Sequence, residues 1–303
     1  MPAPCPRVFP SGPFDAKARR AFGSAVTRHA HDLGGDKLFT DAGLAELLDR
    51  YPREDVGVYT MGEGPDSWRR GRLGDISGAE LVQAVKAGNL WLNLRGSSAR
   101  DARLGAMNRQ IFSELKRALP GFMPFRTDLA LLISSPGARV SYHLDVPRVM
   151  LFHVRGRKRI FVYPREAPFI AARDLERVVT ETTTEAIPYD RSYDAGAQVF
   201  DLAQGDMLSW PQNGPHRIEN GPDLNVSLSV EYMTPAALMR ANAVLANAWL
   251  RERFGYEGGL EARPAFSWLP KFALARWLRV IEPRQARPET LAQTFVVERG
   301  FTG

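Results

Sequence analysis

The chain has 303 residues, 44% of them hydrophobic, a formal net charge of +6 and a single cysteine. That length buries one sizeable core and a second, smaller one. The lone Cys5 rules out an internal disulfide, and with no run of about 18 apolar residues a membrane-spanning helix is excluded. The basic balance would suit nucleic acid or an acidic peptide, but no helix-turn-helix, zinc finger or long basic arm accompanies it, so nucleic-acid binding is not expected. The opening MPAPCPRVFPSGPF has no apolar stretch behind a basic start, so it is not read as a secretory signal. The expected location is the cytoplasm.

Residues 1–13 read as an extended arm. Phe14, Ala18, Phe22, Val26 and Leu33 fall at near-helical spacing and predict an amphipathic helix ending at Gly34-Gly35, with His29 and His31 in its last turns. Thr40 or Asp41 caps a short helix carrying Leu44, Leu47 and Leu48, stopped by Pro52. A brief strand spans Asp55–Met61. Residues 62–74, rich in Gly and Arg around Trp68, read as a loop. Ser77 and Glu80 make a capping box for a helix ending near Gly88. Leu90–Leu94 reads as a buried strand with Asn93 as a satisfied core amide. From Ser98 to Leu119 the stripe Leu104, Met107, Ile111, Leu115, Leu119 predicts a long helix, ended by Pro120-Gly121.

Short β runs follow: Asp128–Ser134, Arg139–His143, Val149–Val154, Arg157–Tyr163, Gln198–Asp201, Met207–Trp210 and Asn225–Tyr232. Many short strands separated by Gly/Pro turns predict a jelly roll. A polar insert, Phe169–Ser192, interrupts them and is expected to flank the mouth of the site. Thr234 caps and Pro235 starts a helix through Arg253, closed by Gly255. A second helix runs from Pro270 to Ile281.

Within the β region, His143-x-Asp145 stands at a strand start, and two residues apart on a strand share a face. His216 follows a distant Pro/Gly turn in GDMLSWPQNGPHRIEN. Two imidazoles and one carboxylate form a set that holds Fe(II) and leaves coordination positions open. In Arg157-Lys158-Arg159-Ile160-Phe161-Val162 the alternation puts Lys158 on the face of Ile160 and Val162. A lysine there asks for an anion, unless the strand is a twisted edge with all three cations in water. His153, mid-strand, reads as a hydrogen-bonded core histidine that could also touch a co-substrate.

At these residues the chain resembles the JmjC/cupin-type Fe(II), 2-oxoglutarate-dependent oxygenases, especially the branch of the hypoxia-factor asparaginyl hydroxylase. The likeness covers roughly residues 125–235. It is carried by His143 and Asp145, by Gly156-Arg157-Lys158-Arg159, and by Gly205, Asp206, Leu208, Pro211, His216, Ile218 and Glu219. The resemblance implies a mainly β protein with flanking helices: a double-stranded β-helix (jelly roll, cupin) with an N-terminal α/β extension and C-terminal helices. It implies Fe(II) on His143, Asp145 and His216, and 2-oxoglutarate as co-substrate with its far carboxylate on Lys158. Where the family often places a Thr or Tyr to share that carboxylate, three positions before the first His, this chain has Val140. The hydroxyl is therefore expected from Ser141 or Tyr142.

The implied divisions are 1–124, 125–234 and 235–303. The implied activity is hydroxylation of a C–H in a peptide, protein or small-molecule substrate. A homodimer through the C-terminal helices is expected by the same analogy, with packing onto the N-terminal helices as the alternative. Two other classes stay open: a cupin isomerase or ring-cleaving dioxygenase, and a non-enzymatic regulatory barrel.

Overall fold

In the computed structural model, residues 7–10, 14–60, 68–180, 185–259, 265–281 and 292–301 are described. The strands are β1 (Thr27–Ala30), β2 (Val56–Thr60), β3 (Arg69–Leu73), β4 (Leu90–Leu94), β5 (Phe125–Ser134), β6 (Arg139–His143), β7 (Arg148–Arg155) and β8 (Arg157–Val162). They continue with β9 (Gln198–Ala203), β10 (Asp206–Ser209), β11 (His216–Asn220), β12 (Asn225–Met233) and β13 (Gln293–Val297). Nine form one sheet, in the order β1-β10-β7-β12-β5-β4-β2-β3-β13, and β6-β11-β8-β9 form a second sheet facing part of it.

The helices are α1 (Ala16–Ala21), α2 (Asp41–Arg50), α3 (Gly78–Ala87), α4 (Ser97–Arg100), α5 (Ala102–Ala118), α6 (Ala172–Val179), α7 (Pro235–Phe254) and α8 (Leu269–Ile281). The caps behave as their residue types require. Thr40 accepts from the Gly43 amide and starts α2. Ser77 and Glu80 form the reciprocal box of α3. Thr234, Pro235 and a left-handed Gly255 bound α7. Asp101 breaks the predicted Ser98–Leu119 helix in two, its carboxylate accepting from the Arg103 and Leu104 amides to start α5.

Alternation on the long sheet separates two layers. Val226, Leu228 and Val230 of β12 and Leu129, Leu131 and Ile133 of β5 pack outward against Leu44, Leu81, Ile111 and Leu115 of the helices, in the main core. The opposite faces enclose a second cluster with Val149, Leu151, Ile160, Val162, Trp210 and Ile218. The polar face of β12 therefore looks into the barrel, where Asn225 and Ser227 are fully buried. Gly156 turns the chain from β7 to β8 at φ +87°, and a Cβ there would meet the Leu224 carbonyl at 2.6 Å. Only glycine makes this corner without strain, and Lys158 follows two residues on.

Several expectations are corrected. The helix predicted over 14–33 stops at Ala21, and Gly23 (φ +74°) leads to β1, which pairs with β10. His29 thus lies on a strand, and His31 is buried with Nε2 3.1 Å from the His153 carbonyl. The arm is not free where it is described: Val8 and Phe9 are buried and their amides donate to Glu114. Of the loop expected at 62–74, residues 62–67 lie outside the described residues and Arg69–Leu73 is a strand, paired with β2 on one side and in parallel with β13 on the other. Asn93 is buried, but its Oδ1 has no hydrogen-bond partner. The polar insert contains α6; of the TETTTE stretch, residues 181–184 lie outside the described residues.

Candidate metal centre

β6 ends at His143, β11 begins at His216, and the two pair directly. Three steps on β6, Val140 to His143, oppose two on β11, Ile218 to His216. This bulge turns both Val140 and His143 toward the barrel, which strict alternation would forbid. It also explains how a residue three before the first ligand can share its cavity. The position where the resembling family places a hydroxyl is thus inward-facing and apolar here, and Val140 packs in the inner cluster.

Ligand atoms of His143, Asp145 and His216 all lie within 4.8 Å of one another, and His216 Nε2 is 3.5 Å from Asp145 Oδ2. The imidazoles are already oriented. His143 Nδ1 is 2.7 Å from the Ser141 carbonyl, and His216 Nδ1 is 3.0 Å from the Gly214 carbonyl. A carbonyl only accepts, so each Nδ1 carries the proton and each Nε2 presents a lone pair. Burial, and for His216 also the neighbouring His143, pushes both below the ordinary histidine value, keeping them neutral as metal ligands must be. Asp145 Oδ2 is buried with no hydrogen-bond partner among the described residues. Burial raises its carboxyl well above the usual range, and Glu185 and Glu231 raise it further, with Arg95 opposing. A divalent cation would relieve this strain. Two neutral imidazoles and one unpartnered carboxylate fit the facial set of non-haem Fe(II).

Lys158 faces inward as the alternation predicts, is 6% exposed and belongs to no ion pair among the described residues. Burial lowers its pKa to about 7. It lies across the ladder from Asn220, whose Nδ2 donates to Ser134 Oγ at 2.8 Å. His153 is fully buried, with Nδ1 3.0 Å from Ser227 Oγ and Nε2 unpartnered.

The two hydroxyls expected beside the centre have partners of their own. Tyr142 does not reach it: its ring packs on Tyr163, Tyr189 and Tyr193 and its hydroxyl donates to the Phe169 carbonyl. Ser141 Oγ accepts from Trp68 Nε1 at 2.7 Å. The insert does run beside the site, since Ala186 bridges His143 and the Leu144 amide donates to the Glu185 carbonyl. Glu231 was legible in sequence only as one polar position of β12. Its approach to Asp145 needs the inward turn of that face.

No family model matches the sequence, and no curated protein matches it. Among solved structures, Escherichia coli YcfD superposes with a TM-score of 0.52 at 18% identity, covering 89% of this chain and 68% of that one. A structure described as the ribosomal oxygenase YcfD from Escherichia coli with cobalt and 2-oxoglutarate gives 0.47 at 17% identity, covering 85% and 64%. The same protein with cobalt and succinic acid gives 0.44 at 19%, again covering 85% and 64%. This chain therefore spans about two thirds of the length of these structures. The likeness is one of fold, and it agrees with the strand order: the chain is a double-stranded β-helix with flanking helices, and it carries a His-Asp-His cluster.

Proposed function

We infer that the protein is an Fe(II)- and 2-oxoglutarate-dependent oxygenase that hydroxylates a C–H bond of its substrate. The observation that carries this reading is the convergence of His143, Asp145 and His216 within 4.8 Å, with Lys158, buried and in no ion pair among the described residues, facing the same interior. When bound, Fe(II) and 2-oxoglutarate supply O₂ activation, with decarboxylation to succinate and insertion of one oxygen into the substrate. The chain's own groups prepare for this. His143 and His216 present Nε2, and Asp145 presents an oxygen that no donor among the described residues occupies. Lys158 pairs the far carboxylate through a charge-assisted contact. The hydroxyl that shares this carboxylate is assigned to Ser134, whose Oγ already accepts from Asn220 and keeps its own proton to donate. Val149, Ile160, Val162, Trp210 and Ile218 line the same layer and exclude water.

A peptide or protein is the favoured substrate class. The YcfD structure is described as a ribosomal oxygenase, so peptides of ribosomal proteins belong in the first screen. The isomerase and ring-cleaving readings call for more imidazoles than gather here: among the described residues His29 and His31 lie near β1, and His153 pairs with Ser227. With Fe(II), ascorbate and 2-oxoglutarate, slow succinate formation is expected without substrate, lost in His143→Ala and faster with a productive peptide. Metal and 2-oxoglutarate binding that survive alanine at each of the three ligand positions would overturn the assignment.

The partner of the C-terminal helices is inferred to be a second copy of the chain, in a cytoplasmic homodimer. α7 and α8 pack on each other through Leu245, Ala246, Ala275 and Leu278, and α7 also touches α6. This leaves Trp277 54%, Val280 78% and Phe254 70% exposed, an apolar set that a partner would cover. Sedimentation is expected to show a dimer for the wild type and a monomer for the Trp277→Glu, Val280→Glu double variant. A monomeric wild type at tens of micromolar would end this reading.

A further inference from the structure

The two histidine ligands are each oriented by a hydrogen bond on the other ring nitrogen, but Asp145 Oδ2 has no such support. The contacts that hold this residue reach its backbone instead. That backbone is held from the loop before β11. Asn213 Nδ2 donates to the Asp145 carbonyl at 2.9 Å, and Gln212 Nε2 donates to the carbonyls of Val146 at 2.9 Å and Ala237 at 3.2 Å. Asn213 is 3% exposed and stands at φ +60°, a left-handed conformation that asparagine tolerates better than most residues but that still needs support. The support comes from α7: Arg240 Nε donates to Asn213 Oδ1 at 3.1 Å. Arg240 is itself buried, with its guanidinium 6.0 Å from the Trp268 ring centroid.

We propose that Asn213 and Arg240 are positioning residues for the Asp145 ligand, so that helix α7 forms part of the outer shell of the metal centre. One loop thus carries His216 and clamps the other ligand segment, and the C-terminal helix fixes that loop. The amide of Asn213 is suited to this place because it donates to one carbonyl while accepting from a guanidinium. Aspartate would lose the donation, and glycine would keep the backbone conformation but lose both bonds. The proposal rests on the reading of His143, Asp145 and His216 as a metal centre.

The test is Co(II) affinity and the Co(II) visible spectrum of the full chain, with denaturation of the metal-free protein alongside. Losing an outer-shell contact typically weakens metal binding about 10–100-fold, and that loss is expected for Asn213→Gly, with a changed spectrum and a metal-free protein that still unfolds cooperatively. Arg240→Met is expected to act in the same direction, and the double variant to bind no worse than Asn213→Gly, because the two bonds form one relay. Should Arg240→Met fail to fold, the glycine arm decides alone. Wild-type affinity and spectrum in Asn213→Gly would overturn the proposal and leave the metal centre standing. A wild type that binds no Co(II) would overturn both.

Discussion

Replacing Lys158 with methionine is expected to abolish useful 2-oxoglutarate binding and, in the same variant, to stabilise the ligand-free protein. The two effects have one cause. The ammonium is buried without a counter-charge among the described residues, and burial lowers its pKa from an ordinary 10.5 to about 7. Between these values the unfolded chain holds a proton that the folded chain does not, so stability rises with pH from about 7 to 10 and is lowest below 7. At about 1.4 kcal/mol per pKa unit, the buried charge costs on the order of 5 kcal/mol below neutrality. Methionine, of similar shape, removes that cost. Urea unfolding at pH 6 and pH 9 is therefore expected to show a gain at pH 6 and a loss of the pH slope. A carboxylate ligand offsets the same cost in the wild type, and truncating one partner of a buried charge pair loses about 2–5 kcal/mol of binding. Calorimetry with Mn(II) in place of iron, in two buffers of different ionisation enthalpy at pH 8, is expected to show proton uptake with 2-oxoglutarate and none with a monocarboxylate analogue. Equal 2-oxoglutarate affinity in wild type and Lys158→Met would defeat the role of this lysine.

The second large effect belongs to Asp145. Adding Co(II) at about 100 times its dissociation constant is expected to stabilise the wild type by about 2.7 kcal/mol, the linkage value for one site, seen as a rise of several degrees in Tm. Asp145→Ala is expected to lose that rise completely. Its metal-free Tm is expected to equal or exceed that of the wild type, because the carboxylate sits desolvated beside Glu185 and Glu231. In the wild type the Co(II) effect weakens as pH falls, since protons compete for a carboxyl whose pKa lies above the usual range and for both imidazoles. A Co(II)-dependent rise that persists in Asp145→Ala would remove this residue from the ligand set.

What could be read in advance was what is local. The caps at Thr40, Ser77 and Thr234 announce themselves within four residues, and His143 and Lys158 lie on one short run of chain from β6 to β8. Elements made by distant partners were harder. Arg69–Leu73 has poor strand residues and is a strand because β2 and β13 flank it. The stretch Phe14–Leu33 has helical spacing, yet its second half pairs with residues nearly two hundred positions away. Tyr142, one residue before His143, lies on the opposite face, as a period of two requires, while the inward turn of Val140 needed a bulge that no spacing announces. The clamp from Arg240 through Asn213 to Asp145 joins three segments that no spacing rule connects.

The last strand has a consequence for how the chain is made. β13 covers the outer edge of β3 by parallel pairing, and β3 belongs to the first quarter of the chain. Until Gln293–Val297 emerge, β3 keeps a row of open amides and carbonyls, the kind of border to which another polypeptide adds. Synthesis halted shortly before Gln293 would leave the His-Asp-His cluster intact and the border bare, yielding a protein able to take up metal yet prone to self-association.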